Sequence, residues 1–518
     1  MDGAAALGKA KSLIAALMAK FDPLLKLRAD PSYAGIGIDA SGYLQGLLDL
    51  AGASSNADAT VLIDSHFRGR EMLIVPNGVH IKMGPNGAYD VSEVDMLTAI
   101  FVKETVGTRI SGGRIIGSGK GSQPANHAGV SASDVRLSGS GIVFAGVEGG
   151  KIRDVRVENC GGTTGVAPYN GVAGIWLTYG CKNCIVTKCS TNNCRNGINE
   201  DNYFQQSPRG NKISKNWITG CRFGIALDSD ASATDTLVEG NTIKDCQQSG
   251  IDLNKACRVR VTKNHIENIG LESGNSGIWI YGTSSIPSFD VNVEGNTVID
   301  TAGNGIKVGP YVYYPSVLGN KCIGNAKHGV NVLGLCRYWI VADNHCRANE
   351  LSGINVFRES ANPVTTGALV GNLMLQNFQN GLLLDGAAEV TVTGNVIKDN
   401  SQGSSNTYDG IRITNATTLC NLVGNQSSGG NQRYALASTD SGSVGNTFSA
   451  NTFQAGATGR IAFASLVQNW GDNGDGYTST AGTPTGVYPY GSRVVNTGDN
   501  RLYVRGVSGW YYMPLTAV

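Results

Sequence analysis

The chain has 518 residues, 71 of them glycine and 45 asparagine, with a net charge of +1 and only 16% charged residues. Glycine stands at about twice its usual frequency of roughly 7%. The even charge excludes a nucleic-acid footprint or a polybasic membrane patch. An apolar content of 41% excludes a disordered chain, and glycine lacks the strict three-residue period of collagen.

Residues 1–35 read as a helical stem or cap. Leu7, Leu13, Ile14, Leu17 and Met18 fall at helical spacing, with Lys9, Lys11 and Lys20 between them. The alternative, a secretory leader, has little to rest on. The apolar run Leu13–Ala19 is only seven residues, opens late and lacks a small-x-small cleavage site. No run is long enough to cross a membrane, so no membrane insertion is expected. Residues 36–100 form an opening region: a second helix at Tyr43–Ala53, then strands at Thr60–Ile63 and Met72–Val79 that lead into the first coil.

Residues 101–455 carry a repeat. Gly174-Ile-Trp-Leu, Gly197-Ile, Gly224-Ile-Ala-Leu, Gly250-Ile-Asp-Leu and Gly277-Ile-Trp-Ile open a series that continues at Gly305, Gly329, Gly353, Gly381 and Gly410. Its nine steps average about 26 residues. A second series, usually Gly-Asn-x-Ile, places asparagine at 241, 264, 296, 320, 344, 372, 395, 425 and 446. Each period thus holds two short apolar-alternating runs separated by glycine or asparagine. That pattern predicts one turn of a parallel β-helix per period. Glycine and asparagine suit the left-handed backbone of sharp corners, and inward asparagines can hydrogen-bond from coil to coil.

The cysteines fit the same register. Cys181-x-x-Cys184 with Cys189 and Cys194 has zinc-like spacing. However, Cys194 and Cys221 each precede a coil glycine by three residues, with Cys246 one residue further away. Cys184, Cys257, Cys336 and Cys420 each precede a coil's second strand, and Cys160, Cys189, Cys322 and Cys346 fall near one another. Ladders of buried, reduced thiols are therefore expected, and neither metal nor cofactor. Reduced thiols fit folding in a cytoplasm. The six histidines form no ligand cluster.

Residues 456–483 read as a linker, most plainly Gly471–Gly482. Residues 484–518 form a small β module with strands at Arg493–Thr497, Arg501–Val504 and Ser508–Tyr512. Both flanks can cover the open ends of a solenoid.

Over about residues 60–455 the repeat resembles the right-handed parallel β-helix superfamily of pectin- and alginate-acting enzymes and phage tailspikes. The fold class expected is therefore all-β, a single-stranded right-handed parallel β-helix. The whole arrangement of helical stem, capped solenoid and small β terminus resembles a tailspike. That resemblance implies a homotrimer that binds and cleaves a bacterial surface polysaccharide: capsule, exopolysaccharide or O-antigen. It implies a place in the virion, on the phage tail, after folding in the host cytoplasm; a secreted protein is the alternative. No residue roles carry over. The Asn-Thr-Asp, Asp-Asp, Gly-His-Gly and Arg-Ile-Lys of polygalacturonase-like hydrolases are absent, as is the Asp-Pro-His-Asp of alginate epimerases.

The chemistry must come from register. In Gly-Ile-x-Leu the isoleucine and leucine point inward, so the x residue and the one after leucine point out. One outward column reads Trp176, Asn199, Ala226, Asp252, Trp279, Lys307; the other reads Thr178, Asp201, Asp228, Asn254, Tyr281, Gly309. With coils about 4.8 Å apart, Asp201 and Asp228 are neighbours and Asp252 lies on a diagonal about 8 Å from Asp228. Glycoside hydrolysis needs two carboxyls at about 5 Å or at about 6.5–9.5 Å, and backbone spacing does not choose between them. Glu200 takes a slot filled elsewhere by Leu177, Leu227 and Leu253, which is costly for a carboxylate unless the strand bulges. Asp201, Asp228, Asp252 and Glu200 are thus the candidate catalytic acids; solvated surface acids are the alternative. Trp176, Trp279 and Tyr281, a wall of Tyr311, Tyr313 and Tyr314, and Lys307 are the candidate sugar contacts. A second, aromatic-poor patch is Arg358, Glu359, Asp385, Asp409 and Arg412. Two other functions use the same face: a lyase or epimerase acting on a uronic-acid polymer, and a non-catalytic glycan-binding adhesin.

Overall fold

The computed structural model describes residues 26–34, 38–54, 58–122, 135–162, 172–202, 206–229, 234–270, 275–359 and 364–463, except 439, 441, 444 and 455. It also describes the strands Gln468–Trp470, Asp475–Thr478, Arg493–Asn496, Arg501–Gly506 and Gly509–Pro514. The expected stem helix lies almost wholly outside the described residues, and so does most of the linker. Where the stem is described, Lys26–Arg28 is a strand paired in parallel with Thr60–Leu62, followed by a single 3-10 turn at Pro31–Tyr33.

The chain divides into two compact units, Met1–Glu272 and Ser273–Val518. Both are built as a right-handed parallel β-solenoid. Each full coil contributes three short strands, one to each of three parallel sheets, rather than the two runs expected. In one coil of the first unit these are Lys212–Ser214, Trp217–Thr219 and Phe223–Asp228. The first two are three residues long with one inward side chain apiece, too short to show a period of their own.

Inward columns hold each unit together. Ile142, Ile175, Ile198, Ile225 and Ile251 stack in register and are fully buried. Each such side chain stabilises the fold by on the order of 2 kcal/mol through removal from water.

The corner between the first and second strands explains the Gly-Asn pair. Gly240 has φ +63°, the left-handed region that glycine enters without a Cβ clash. The asparagine that follows turns its amide inward. In the first unit Asn216 donates to Asn241 and Asn241 to Asn264, each at 2.9 Å. In the second unit the ladder runs Asn296, Asn320, Asn344, Asn372, Asn395, Asn425, Asn451. The expected terminal member, Asn446, stands one corner earlier and accepts from the Cys420 backbone N–H. A second ladder, Asn325, Asn349, Asn377, Asn400, lies at the next corner and went unanticipated.

The glycines of Gly-Ile-x-Leu act differently. They do not have positive φ; a Cβ on Gly353 would stand 2.8 Å from the Gly381 carbonyl oxygen and 2.8 Å from Asn377 Nδ2. They are small because the next coil's carbonyl leaves no room, joined at Gly305, Gly329, Gly353 and Gly381 by the amide ladder.

One α-helix is present among the described residues, Ser41–Gly52, close to the expected Tyr43–Ala53. It buries Leu44, Leu48 and Ala51 against the opening strands. Its Gln45 amide donates to the Ile74 carbonyl and accepts from the Ile74 N–H, occupying backbone groups of the first strand of its sheet. At the other end Arg493–Asn496, Arg501–Gly506 and Gly509–Pro514 form the antiparallel meander expected there.

Cys194, Cys221 and Cys246 stand at one corner as expected, but Cys160 belongs with them rather than with Cys189; its carbonyl accepts from the residue after Cys194, as Cys194's does from the residue after Cys221. Cys322 and Cys346 are register partners. Cys181 and Cys184, from the zinc-like spacing, donate to the carbonyls of Phe144 and Val147 at 3.2 Å. All twelve cysteines are free thiols, and eleven are buried.

Candidate functional site

The third sheet of each coil presents the two outward columns. In the first unit the register is Trp176, Asn199, Ala226, Asp252 in one column, with Asp201 opposite Asp228 and Asp228 opposite Asn254 in the other. The three aspartates therefore meet on one face, on three successive strands.

Their surroundings differ. Asp201 is 1% exposed. It accepts from Trp176 Nε1 at 2.9 Å, Thr178 Oγ1 at 2.7 Å and the Asn199 side-chain amide. A carboxylate offers acceptors only, and these three donors match it. Asp228 is the more open acid, its side chain 19% exposed, with Lys255 Nζ at 3.8 Å from Oδ1 and the Asn254 amide donating to Oδ2 at 3.1 Å. Asp252 is buried and faces the same side.

Trp176 corrects an expectation. It belongs to the outward column but is fully buried, so it is no open platform for a sugar; its indole N–H instead fixes Asp201.

Glu200 also behaves differently from a bulged surface acid. It sits in unbroken register between Leu177 and Leu227, pointing inward and 1% exposed. Thr236 Oγ1 donates to its Oε1 at 2.7 Å and Asn211 Nδ2 to its Oε2 at 3.0 Å. Burial pushes its carboxyl up to about 7, against the lowering effect of those two donors; Asp201 pushes it further up. The strand thus carries one acid to the interior and the next, Asp201, to the outward face.

In the second unit the outward columns are Trp279, Lys307, Asn331, Asn355, Leu383, Arg412 and, beside them, Leu333, Phe357, Asp385, Thr414. Trp279 and Tyr281 pack with centroids 4.4 Å apart, and Lys307 Nζ stands 4.5 Å over the indole. Burial, then the neighbouring Lys327, holds the Lys307 ammonium below the usual lysine range, and Glu359 opposes this.

The tyrosines of the expected wall run away from this face. Tyr311 is a left-handed corner residue, φ +58°. Tyr313 lies in the short strand Val312–Tyr313 of the first sheet, edge-on to Phe289, and Tyr314 stacks on Tyr338 with centroids 5.0 Å apart. They line the next sheet, with Arg337 near the Tyr313 ring.

The second patch resolves into structural pairs. Asp409 is fully buried and bidentate with Arg433, at 3.0 and 2.8 Å. Arg433 went unanticipated because it stands a coil away. Asp385 accepts from the Asn415 amide at 2.7 Å.

The family model described as a right handed beta helix region matches residues 120–298. Among solved structures, a tailspike of E. coli bacteriophage HK620 in complex with a pentasaccharide is 14% identical, with TM-score 0.52, covering 86% of this chain and 79% of its own. The Dettilon tailspike is 15% identical at TM-score 0.43, covering 93% and 76% respectively. The Streptococcus pneumoniae surface adhesin PfbA is 11% identical at TM-score 0.42, covering 95% and 98%. No curated protein matches the sequence.

The chain has the right-handed parallel β-helix fold. At these identities the likeness shows the fold alone, and the acids of the first unit owe their grouping to this chain's own register. Within that β-helix, the residue that sequence reasoning missed is Lys255. It follows Asn254 directly after the strand, a position the two-column pattern does not include.

Proposed function

We propose that the protein is a tailspike-type depolymerase that binds a bacterial surface polysaccharide and hydrolyses its glycosidic bonds. The observation that carries this reading is the grouping of Asp201, Asp228 and Asp252 on one outward face. Asp228 and Asp252 supply the reacting carboxyls. They lie on adjacent strands of one face, on a diagonal of about 8 Å at the backbone, which puts both carboxyls within reach of one glycosidic bond and a water. One carboxyl protonates the leaving oxygen while the other activates that water. Asp201, held by Trp176, Thr178 and Asn199, is a positioning residue whose charge lies beside Asp228. A protein of the same fold, the HK620 tailspike, holds a pentasaccharide, which supports the fold as an oligosaccharide scaffold. The same reading carries a homotrimer on a phage tail.

The test is depolymerisation of capsular, exopolysaccharide and O-antigen preparations, followed by new reducing ends and by product mass. Hydrolysis adds one water per cleavage. Products that lack that water and absorb in the ultraviolet would point to a lyase instead. Binding without any shortening would leave an adhesin. Light scattering of the purified chain checks the trimer.

A further inference from the structure

We infer that the outward face of the second unit binds an anionic group carried by a sugar polymer, a carboxylate or phosphate substituent, with Lys307 as its counter-charge. This rests on the polysaccharide reading above and adds a substrate class to it.

Four successive strands place Trp279, Lys307, Asn331 and Asn355 in one column, which spans about 14 Å at the coil spacing. Along that column one hydrogen-bonding group stands without a partner among the described residues. Trp279 Nε1 is a buried polar atom with no hydrogen-bond partner among the described residues. Native structures seldom leave such an atom without a partner, because its lost hydration is not repaid. Space beside the indole is kept by Gly309, where a Cβ would stand 3.2 Å from Trp279 Nε1 and 3.1 Å from Tyr281 Cβ.

The charge around the column favours an anion. Lys307 is partly buried, has no carboxylate within ion-pair distance among the described residues, and has Lys327 as a like-charged neighbour; Glu359 is the one acid that acts on it. His328 adds no charge. Burial and Lys327 push its imidazolium down to about 4, so it is neutral at pH 7. Its Nδ1 accepts from the Ser352 N–H at 3.2 Å, so the proton sits on Nε2 and is taken up by the Asn355 side-chain amide, 3.4 Å away, with the amide oxygen turned toward it. Ammonium and indole N–H are both donors. A ligand that satisfies them offers a negative charge and hydroxyl oxygens; one that also covers Trp279 and Tyr281 offers a flat C–H surface. A column this long takes more than one sugar ring.

The experiment uses the full chain and a panel of purified bacterial polysaccharides, each tested native, carboxyl-reduced and dephosphorylated. Binding is read by affinity electrophoresis and by quenching of tryptophan fluorescence. A native acidic polymer should bind, and removing its anionic group should weaken binding at least tenfold. Lys307→Met should weaken it equally, and Lys307→Arg should restore most of it, with unchanged circular dichroism in both variants. Loss on carboxyl reduction assigns a uronic or other carboxylated sugar; loss on dephosphorylation assigns a phosphosugar. The inference is overturned if neutralised polymers bind as well as native ones, if Lys307→Met binds as wild type, or if no acidic member binds. Cleavage of a neutral polymer untouched by Lys307→Met would sink this inference and spare the depolymerase reading. Lys307-dependent binding without shortening of any polymer would do the reverse.

Discussion

Asp201 and Asp228 stand opposite one another on adjacent parallel strands, yet one is closed off by three donors and the other is partly exposed beside Lys255. Identical side chains in identical register thus receive different work. The difference comes from the neighbouring columns: Trp176, Thr178 and Asn199 surround Asp201, whereas Asp228 has Ala226 before it and Asn254 beside it.

This division predicts distinct mutant behaviour. Asp228→Asn and Asp252→Asn should each lower depolymerisation by about 10²–10⁴-fold while leaving melting temperature and polymer binding near wild type. Asp201→Asn turns one acceptor oxygen into a donor facing Trp176, Thr178 and Asn199. It should cost about 1–3 kcal/mol of stability as well as activity. Reducing-end assays alongside thermal melts check both halves. Full activity in Asp228→Asn and Asp252→Asn would remove these residues from the chemistry.

Glu200 predicts a pH dependence of stability. Its folded value of about 7 lies above the 4.5 of an unperturbed glutamate, so the folded chain holds a proton that the unfolded chain has released between those values. Its contribution to stability is therefore full below about pH 4.5, falls as pH rises toward 7, and is flat above. The total change is on the order of 3 kcal/mol. Glu200→Gln keeps a carbonyl for one of Thr236 and Asn211 and removes the titration. The apparent melting temperature of wild type minus that of Glu200→Gln should decline from pH 4.5 to 7. Parallel curves across that range would show that Glu200 does not titrate there.

Much of this architecture was legible because a solenoid writes its register into sequence. Gly-Ile-x-Leu fixed which residues face out, and the columns through Asp201, Asp228 and Asp252 followed by counting. Counting did not show what covers a column. Trp176 shares a column with Asp252, but its burial depends on packing that the repeat does not encode. The third strand of each coil was hidden by its length, since three residues with one inward side chain give no alternation to detect. Tyr311–Tyr314 misled for a related reason, because a corner residue of positive φ redirects the chain into the next sheet. The second asparagine ladder did leave a signal. Asn325, Asn349 and Asn377 each precede a coil glycine by four residues.

The amide ladders predict steep local sensitivity. Asn344 accepts from the Asn320 N–H and amide at 2.9 Å and donates to Asn372 and to the Val317 carbonyl. Asn344→Ala takes the acceptor from the buried Asn320 N–H and side-chain amide, and a donor from the Val317 carbonyl of the same coil. A loss of about 3 kcal/mol or more is expected from several unmade buried bonds. Asn421, exposed on the first sheet, is the control; its alanine variant should fall within about 0.5 kcal/mol of wild type. Denaturant midpoints at fixed slope check the contrast, and equal shifts in the two variants would contradict the ladder's role.

The thiols supply a prediction that needs no mutation. Burial pushes Cys189 and Cys336 up to about 12 and Cys420 up to about 11, and Cys257 is the one cysteine that is only half-buried. Alkylation requires access as well as thiolate, and the eleven buried cysteines lack access. Native protein treated with iodoacetamide at that pH should therefore take up label at Cys257 at most, whereas denatured protein should take up twelve. Intact-mass spectrometry counts the adducts, and peptide mapping locates them. Rapid labelling of Cys181, Cys184, Cys189 or Cys194 in native protein would mean that these side chains are not packed against the carbonyls of neighbouring coils. The zinc-like spacing would then need an explanation other than the ladder.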